Sequence, residues 1–273
     1  MKNCKVALIS INIGRYICFW EKFYETAVQN FLPNMEREFY VFTDHQLDEI
    51  KYSNEKNVHV IYQEDLGWPK NTLMRYEMFL RIEDELKEMD YIYFANANSL
   101  FITKLEDDIL PDEKRLVFVK GVKVFRDKVR RRSFPYEKNP RSTAYVAPEE
   151  YSIYVRGGFN GGYAEDFLKM CHVIDENIKK DLQNNIIAIW HDESHITRYA
   201  IGRNDVKLLS PGYCYGEQSV DPYVKHILIR KKDNGDIRFG KPDKISIKWK
   251  LINFVEKNVT LALIRLKIIK IKD

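Results

Sequence analysis

Apolar residues recur along this chain in two alternating rhythms. Lys5–Ile11 is a short, nearly continuous apolar run and predicts a first buried strand. Ile17–Phe31 repeats its apolar positions at helical spacing until Pro33 stops it. Glu38–Thr43 and Val58–Tyr62 read as a second and a third strand. A helix capped by Asn71 or Thr72 then runs to about Glu88, with Met78, Ile82, Leu86 and Met89 at helical spacing. Asp90–Ala95 is apolar on both sides of the pleat, the pattern of a central parallel strand. Strands alternating with helices predict an α/β sheet with crossover connections.

The second half is less regular. Val117–Lys120 reads as another strand, and Lys123–Arg141, rich in Arg and Lys, as an exposed loop. Gly157–Gly162 is dense in glycine and predicts a turn. Ala164–Asn184 is an amphipathic helix with Phe167, Met170, Cys171, Ile174 and Ile178 on one face. A further helix begins near Asp192. Pro242 marks the end of the regular body, so one domain covers residues 1–243 and a tail covers 244–273. In that tail apolar residues fall nearly all round a helical wheel, and Ile264–Lys272 drifts toward alternation.

Composition changes this picture in three places. A chain of 273 residues buries a full core without staples. Cys4, Cys18, Cys171 and Cys214 form no C-x-x-C pair, which reads as reduced thiols in a reducing compartment. Charge is uneven: the tail holds eight basic residues and two acids, so it is +6 and the remaining body is −2. A body of that balance gives a nucleic-acid partner little support. No apolar run approaches the ~20 residues of a membrane span. The tail, with Trp249 and Phe254 among its basic residues, is a candidate for peripheral contact with an anionic membrane; a solvated or docked extension is the alternative.

The densest chemistry is Trp190-His191-Asp192-Glu193-Ser194-His195. Two histidines at i, i+4 with acids between them suggest zinc, as in H-E-x-x-H. Here Asp follows the first His, Glu193 falls off the shared face, and no third ligand stands at a recognised spacing. The zinc metallopeptidase reading is therefore weak. A carboxylate beside a Trp equally suggests chemistry on a sugar. The fourth predicted strand runs into Asn96-Ala97-Asn98, where ligands bind in open α/β sheets, although two Asn after a strand can simply make a turn.

Together these stretches resemble glycosyltransferase family 6, which includes the histo-blood-group A and B transferases and the α-1,3-galactosyltransferases. The resemblance runs from about Lys5 to Arg238. It rests on Tyr40-Val-Phe-Thr-Asp44, Trp68 with Met74-Arg75-Tyr-Glu-Met78, Asn96-Ala-Asn98, Phe134-Pro-Tyr-Glu137, Ala144-Tyr145, Gly157-Gly158 with Gly161-Gly162, Trp190–His195 and Leu209-Ser-Pro211.

The resemblance implies a single Rossmann-like nucleotide-sugar transferase domain of GT-A type, with a mixed, mostly parallel central sheet flanked by helices. Its nucleotide-binding part is about residues 1–100 and its acceptor-binding part about 101–243. It implies a retaining transfer of N-acetylgalactosamine from UDP-GalNAc, in α-1,3 linkage, to the galactose of a fucosylated, H-antigen-like acceptor. Galactose transfer from UDP-Gal and a catalytically inactive UDP-sugar or glycan-binding protein are the alternatives.

Carried over residue by residue, the resemblance makes Glu193 the catalytic group beneath the anomeric carbon. Ile11, Ile13 and Tyr16 wall the uridine pocket, and Arg75 binds the donor. Gly157 and Gly158 sit where the family selects its sugar, with Gly158 matching the A-type glycine and Arg156 replacing a smaller apolar residue. Asp192 bonds donor-sugar hydroxyls. Trp190 and His191 meet the acceptor, and His195 is structural. Asn96 and Asn98 replace two metal-binding aspartates. Amides lack the charge that holds a divalent ion, so no metal or other cofactor is expected. Lys231, Lys232 and Arg238 then meet the diphosphate. Likeness to the bacterial branch implies a cytoplasmic protein, peripheral at the inner membrane surface if the tail binds there.

Overall fold

The computed structural model describes residues 4–121 and 134–232, together with Asn258 and Ala262. Arg238, Pro242, most of the predicted loop at 123–141 and the tail's expected membrane contact lie outside the described residues.

The first half follows the predicted rhythm. Strand β1 (Lys5–Ile11) leads through a short 3-10 turn into α1 (Trp20–Asn30), and β2 (Glu36–Thr43) and β3 (Val58–Tyr62) follow. The single helix expected to about Glu88 is instead three: α2 (Lys70–Leu73), α3 (Arg75–Leu80) and α4 (Glu83–Leu86). The backbone leaves helical geometry at Met74 (ψ 12°) and Ile82 (ψ 26°). These breaks let Leu73, Phe79, Ile82 and Leu86 all enter one core layer, which a straight helix would not place so evenly over the twisted sheet.

Strands β4 (Tyr91–Ala95), β5 (Ser99–Phe101) and β6 (Leu116–Lys120) come next. The predicted turn at Gly157–Gly162 is a correction: those glycines lie inside β7 (Val155–Tyr163). They serve close approach, not chain reversal. A Cβ at Gly161 would meet the Tyr93 ring and the Ile92 carbonyl of the neighbouring strand. Helices α5 (Ala164–Gln183) and α6 (His191–Ala200) follow, then β8 (Val206–Leu209), β9 (Tyr215–Gly216) and β10 (Ile227–Ile229).

The main sheet has seven strands in the order β3-β2-β1-β4-β7-β6-β8, and β5-β10-β9 form a small second sheet. Strand β7 runs antiparallel to both neighbours, while the other pairings of the main sheet are parallel. The fold is thus a single α/β domain with a mixed, mostly parallel sheet flanked by helices. Strand β4 was expected to have parallel neighbours on both sides; it has one, β1, and an antiparallel one, β7. Burial on both faces explains its pattern in either case. Ile92 and Phe94 enter the core layer under α3, α5 and α6, and Tyr93 and Ala95 enter the layer under α1.

Helix α6 is pinned from below. His195 is 3% exposed, and its Nε2 lies 3.8 Å from Asp181 Oδ2 on α5. Asp181 also accepts hydrogen bonds from Ser142 Oγ (2.5 Å) and the Thr143 N–H (2.7 Å). Burial pushes the His195 imidazole down to about 4, against the opposing pull of Asp181 and Glu137. Between pH 6.5 and 4 the unfolded chain therefore takes up a proton that the folded one refuses. This contribution to stability is complete above pH 6.5 and is lost as pH falls toward 4, by roughly 3 kcal/mol. His195→Gln is expected to flatten that acid limb in urea titrations at pH 7 and pH 4.5. Parallel losses in both proteins would contradict the assignment.

Candidate active site

Reversal of β7 is what assembles the site. Strands β1 and β4 end at one edge of the sheet, and β7, running the other way, begins there. The Asn96 N–H just past β4 donates to the Gly158 carbonyl (2.9 Å), locking the start of one strand to the end of the other. Helix α6 starts over the same edge.

Gly157 is the centre of the arrangement. Arg75, first residue of α3, is 2% exposed and donates from Nη1 to the Gly157 carbonyl (3.0 Å). Its guanidinium packs over the Phe94 ring at 4.5 Å and pairs with the Asp192 carboxylate, which is equally buried. A Cβ at position 157 would come within 2.7 Å of Arg75 Nη2 and 2.9 Å of Asp192 Oδ2. Glycine is required there because the ion pair occupies the side-chain space. Nε of Arg75 is buried without a hydrogen-bond partner among the described residues.

Glu193 is held from two sides. Its Oε2 accepts the Gly157 N–H (2.8 Å) and its Oε1 accepts the Tyr154 hydroxyl (2.6 Å). Burial first, and the adjacent Glu193 carboxylate second, push the Tyr154 phenol far above its ordinary range, so it stays a donor. Phe134 stacks on the Tyr154 ring at 5.1 Å. Glu193 is only half-buried, so a fixed anionic oxygen pair faces the edge where ligands would sit. Such a carboxylate can attack a carbon or stabilise a developing cation.

Gly158 sits in a second close contact. A Cβ there would meet Cys214 Sγ at 2.8 Å and Asn96 Nδ2 at 3.1 Å. Asn98 is buried, and its Nδ2 donates to the Arg230 carbonyl at 2.5 Å. The two asparagines therefore offer neutral amides, one of them already committed. Among the described residues no group of three or more His, Cys, Asp or Glu could hold a metal ion. Neither asparagine offers the charge of a carboxylate.

The remaining positions form a rim. Ile13 is buried and Ile11 packs against the same core layer, while Tyr16 is half-exposed at the mouth. Lys232 Nζ lies 5.3 Å from the Tyr16 ring centre and 6.0 Å from that of Trp68. Trp68 in turn meets the His191 imidazole edge-on at 4.9 Å. Trp68 is 72% exposed and Trp190 is 51% exposed, so two indoles are left open to solvent beside the start of α6. Burial lowers the His191 imidazole from its ordinary range. His191 faces Trp68 and His195 faces Asp181, so the two histidines have separate neighbourhoods and the zinc reading has no geometry behind it.

The family model of glycosyltransferase family 6 matches residues 1–238. The chain belongs to glycosyltransferase family 6. This family 6 transferase is 31% identical over 238 residues to the O-antigen biosynthesis glycosyltransferase WbnI of Escherichia coli, covering 84% of this chain and 95% of that protein. It is 29% identical to the histo-blood group ABO system transferase 1 of Rattus norvegicus over 223 residues, 80% of this chain and 63% of the rat protein. Human globoside alpha-1,3-N-acetylgalactosaminyltransferase 1 is 26% identical over 228 residues, again 63% of its length. Membership implies a nucleotide-sugar donor and a glycan acceptor. No helix among the described residues is long and apolar enough to cross a membrane.

The structure thus brings Arg75, Gly157, Asp192 and Glu193 into one cluster, Asn96 and Gly158 into an adjoining one, and Tyr16, Lys232 and His191 onto the rim. Lys231 is exposed just before Lys232. Sequence reasoning missed Tyr154 and did not give Trp68 a role. Tyr154 lies just before β7, and nothing in its spacing marked it.

Two outcomes follow for this cluster. Tyr154→Phe removes one of the two donors to Glu193 and is expected to lower kcat about tenfold or more, the scale of a hydrogen bond to a charged group. Arg75→Met alone strands a buried carboxylate and is expected to cost about 3–5 kcal/mol in urea unfolding. Arg75→Met combined with Asp192→Leu should recover most of that stability while transfer stays abolished. A double variant as unstable as the single one would show that the pair is not the cause.

Proposed function

We propose that this transferase moves N-acetylgalactosamine from UDP-GalNAc, with retention and in α-1,3 linkage, to the galactose of a fucosylated, H-antigen-like acceptor, and does so without a metal ion. The observation that carries the reading is the Glu193 carboxylate, fixed by Tyr154 and the Gly157 N–H at the sheet edge.

Retention requires a group on the face of the sugar opposite the departing diphosphate, or a charge that stabilises an oxocarbenium-like state long enough for same-face attack. Glu193 serves either course. The bond from the anomeric carbon to the β-phosphate oxygen breaks, and the acceptor 3-hydroxyl oxygen forms the new bond while its proton passes to the leaving phosphate. Lys231 and Lys232 supply the positive charge that the departing UDP needs, with Arg238 assigned the same task. Arg75 acts differently: already paired with Asp192, it sets the carboxylate that binds the sugar hydroxyls. Tyr16, Ile11 and Ile13 wall the base, and Trp190 and His191, extended by Trp68, offer an aromatic surface to the acceptor galactose.

Two observations keep galactose as the second reading. Gly158 is demanded by Asn96 and Cys214 whichever sugar is bound. Arg156, beside the glycine pair, is larger than the residue it replaces and donates from Nη1 to the Cys214 carbonyl (2.8 Å). A cytoplasmic location, with the 244–273 tail against the inner membrane surface, completes the proposal.

The test is a product assay with UDP-GalNAc and with UDP-Gal against 2′-fucosyllactose, with and without EDTA. The expected result is an N-acetylgalactosamine product with unchanged yield in chelator, and Glu193→Gln should lose ~10²-fold or more in turnover. Preference for UDP-Gal would select the second reading. UDP-sugar binding without any product would mark a binding protein, and full turnover in Glu193→Gln would remove its assigned role.

A further inference from the structure

Asn98 holds the chain on the far side of the site through a bond that its side chain can make only as a donor. The residue follows β4, precedes β5, and is buried. Strand β10 runs antiparallel to β5, with Ile229 opposite Ser99, so Arg230 arrives opposite Asn98. There the Arg230 N–H donates to the Asn98 main-chain carbonyl (2.9 Å), and the Asn98 side-chain Nδ2 donates to the Arg230 carbonyl (2.5 Å). The next residue is tied as well: the Lys231 N–H donates to Glu217 Oε2 (2.8 Å). The Arg230 guanidinium lies over the Phe19 ring at 5.2 Å. Directly beyond this clamp come Lys231 and then Lys232, whose ammonium reaches the Tyr16 ring.

We propose that Asn98 is a positioning residue whose side-chain amide fixes the Arg230–Lys232 segment so that the lysine pair meets the diphosphate of the donor. A carbonyl oxygen only accepts, so the atom facing it must carry a hydrogen. An aspartate at this position, as in the metal-binding pattern of the family, would set a carboxylate oxygen against the Arg230 carbonyl. Two buried acceptors in contact repel, and each loses its partner. The amide at 98 is therefore a working part of the site and more than the loss of a metal ligand. This inference rests on the proposed role of the lysines toward UDP.

The experiment titrates UDP, and separately measures donor and acceptor KM, for the wild type, Asn98→Asp, Asn98→Ala and the pair Lys231→Ala/Lys232→Ala. Asn98→Asp is expected to weaken UDP binding and raise donor KM by about tenfold or more, with acceptor KM unchanged and no rescue by Mn²⁺. Asn98→Ala removes the donor without adding charge. It should show a smaller loss in the same direction, and it keeps the test open if the Asp variant does not fold. In the background lacking both lysines, either change at 98 should cost no further UDP affinity. Additive losses in that background, an equal rise in acceptor KM, or rescue of Asn98→Asp by Mn²⁺ would each overturn the proposal. Absence of UDP binding in the wild type would instead strike the functional reading itself.

Discussion

A guanidinium removed from water must meet an anion and enough acceptors, or the fold does not tolerate it. Arg75 is that group here, and the edge of the sheet is built around its needs. Its charge meets Asp192, one of its amino groups meets the Gly157 carbonyl, and its plane rests on Phe94. Each partner comes from a different element: α6, β7 and β4. The pair therefore sets the distance between a helix start and two strand ends, and those are the parts that carry the candidate chemistry. Glu193 inherits its position from this. It follows Asp192 by one residue and reaches the amide of the same glycine whose carbonyl Arg75 uses.

Much of the fold was legible because burial writes itself into apolar spacing. Strand β1 and helix α6 begin where the pattern places them, and α5 ends within a residue of its predicted limit. What the pattern could not show was direction. Strand β4 is apolar on both faces whether its neighbours are parallel or antiparallel, so the reversal of β7 left no trace in it. The glycines of β7 misled for a related reason. Glycine marks both turns and crowded strands, and only the neighbours, Tyr93, Asp192 and Cys214, distinguish the two. The unbroken helix expected to Glu88 failed because spacing reports a shared buried face and is blind to breaks that preserve it.

The site was legible as a set of residues and much less as a set of contacts. Arg75, Gly157, Asp192 and Glu193 were each named from resemblance, yet nothing in their spacing says that the arginine binds the aspartate. Tyr154 escaped notice since a tyrosine in an apolar stretch is ordinarily core. Its meaning comes from a carboxylate far along the chain. Asn98 is the reverse case: its type was read as a missing charge, and its contact shows a required hydrogen.

Gly158 carries a last consequence, for how such enzymes diverge. Its missing side chain leaves room that the Cys214 thiol and the Asn96 amide take up, and Arg156 donates to the carbonyl of that same cysteine. These positions therefore behave as one unit of inheritance. A lineage that enlarges residue 158 has to shift both the Cys214 side chain and the Asn96 amide. Change at 158 is therefore expected to come in linked steps, with single-substitution intermediates that fold poorly.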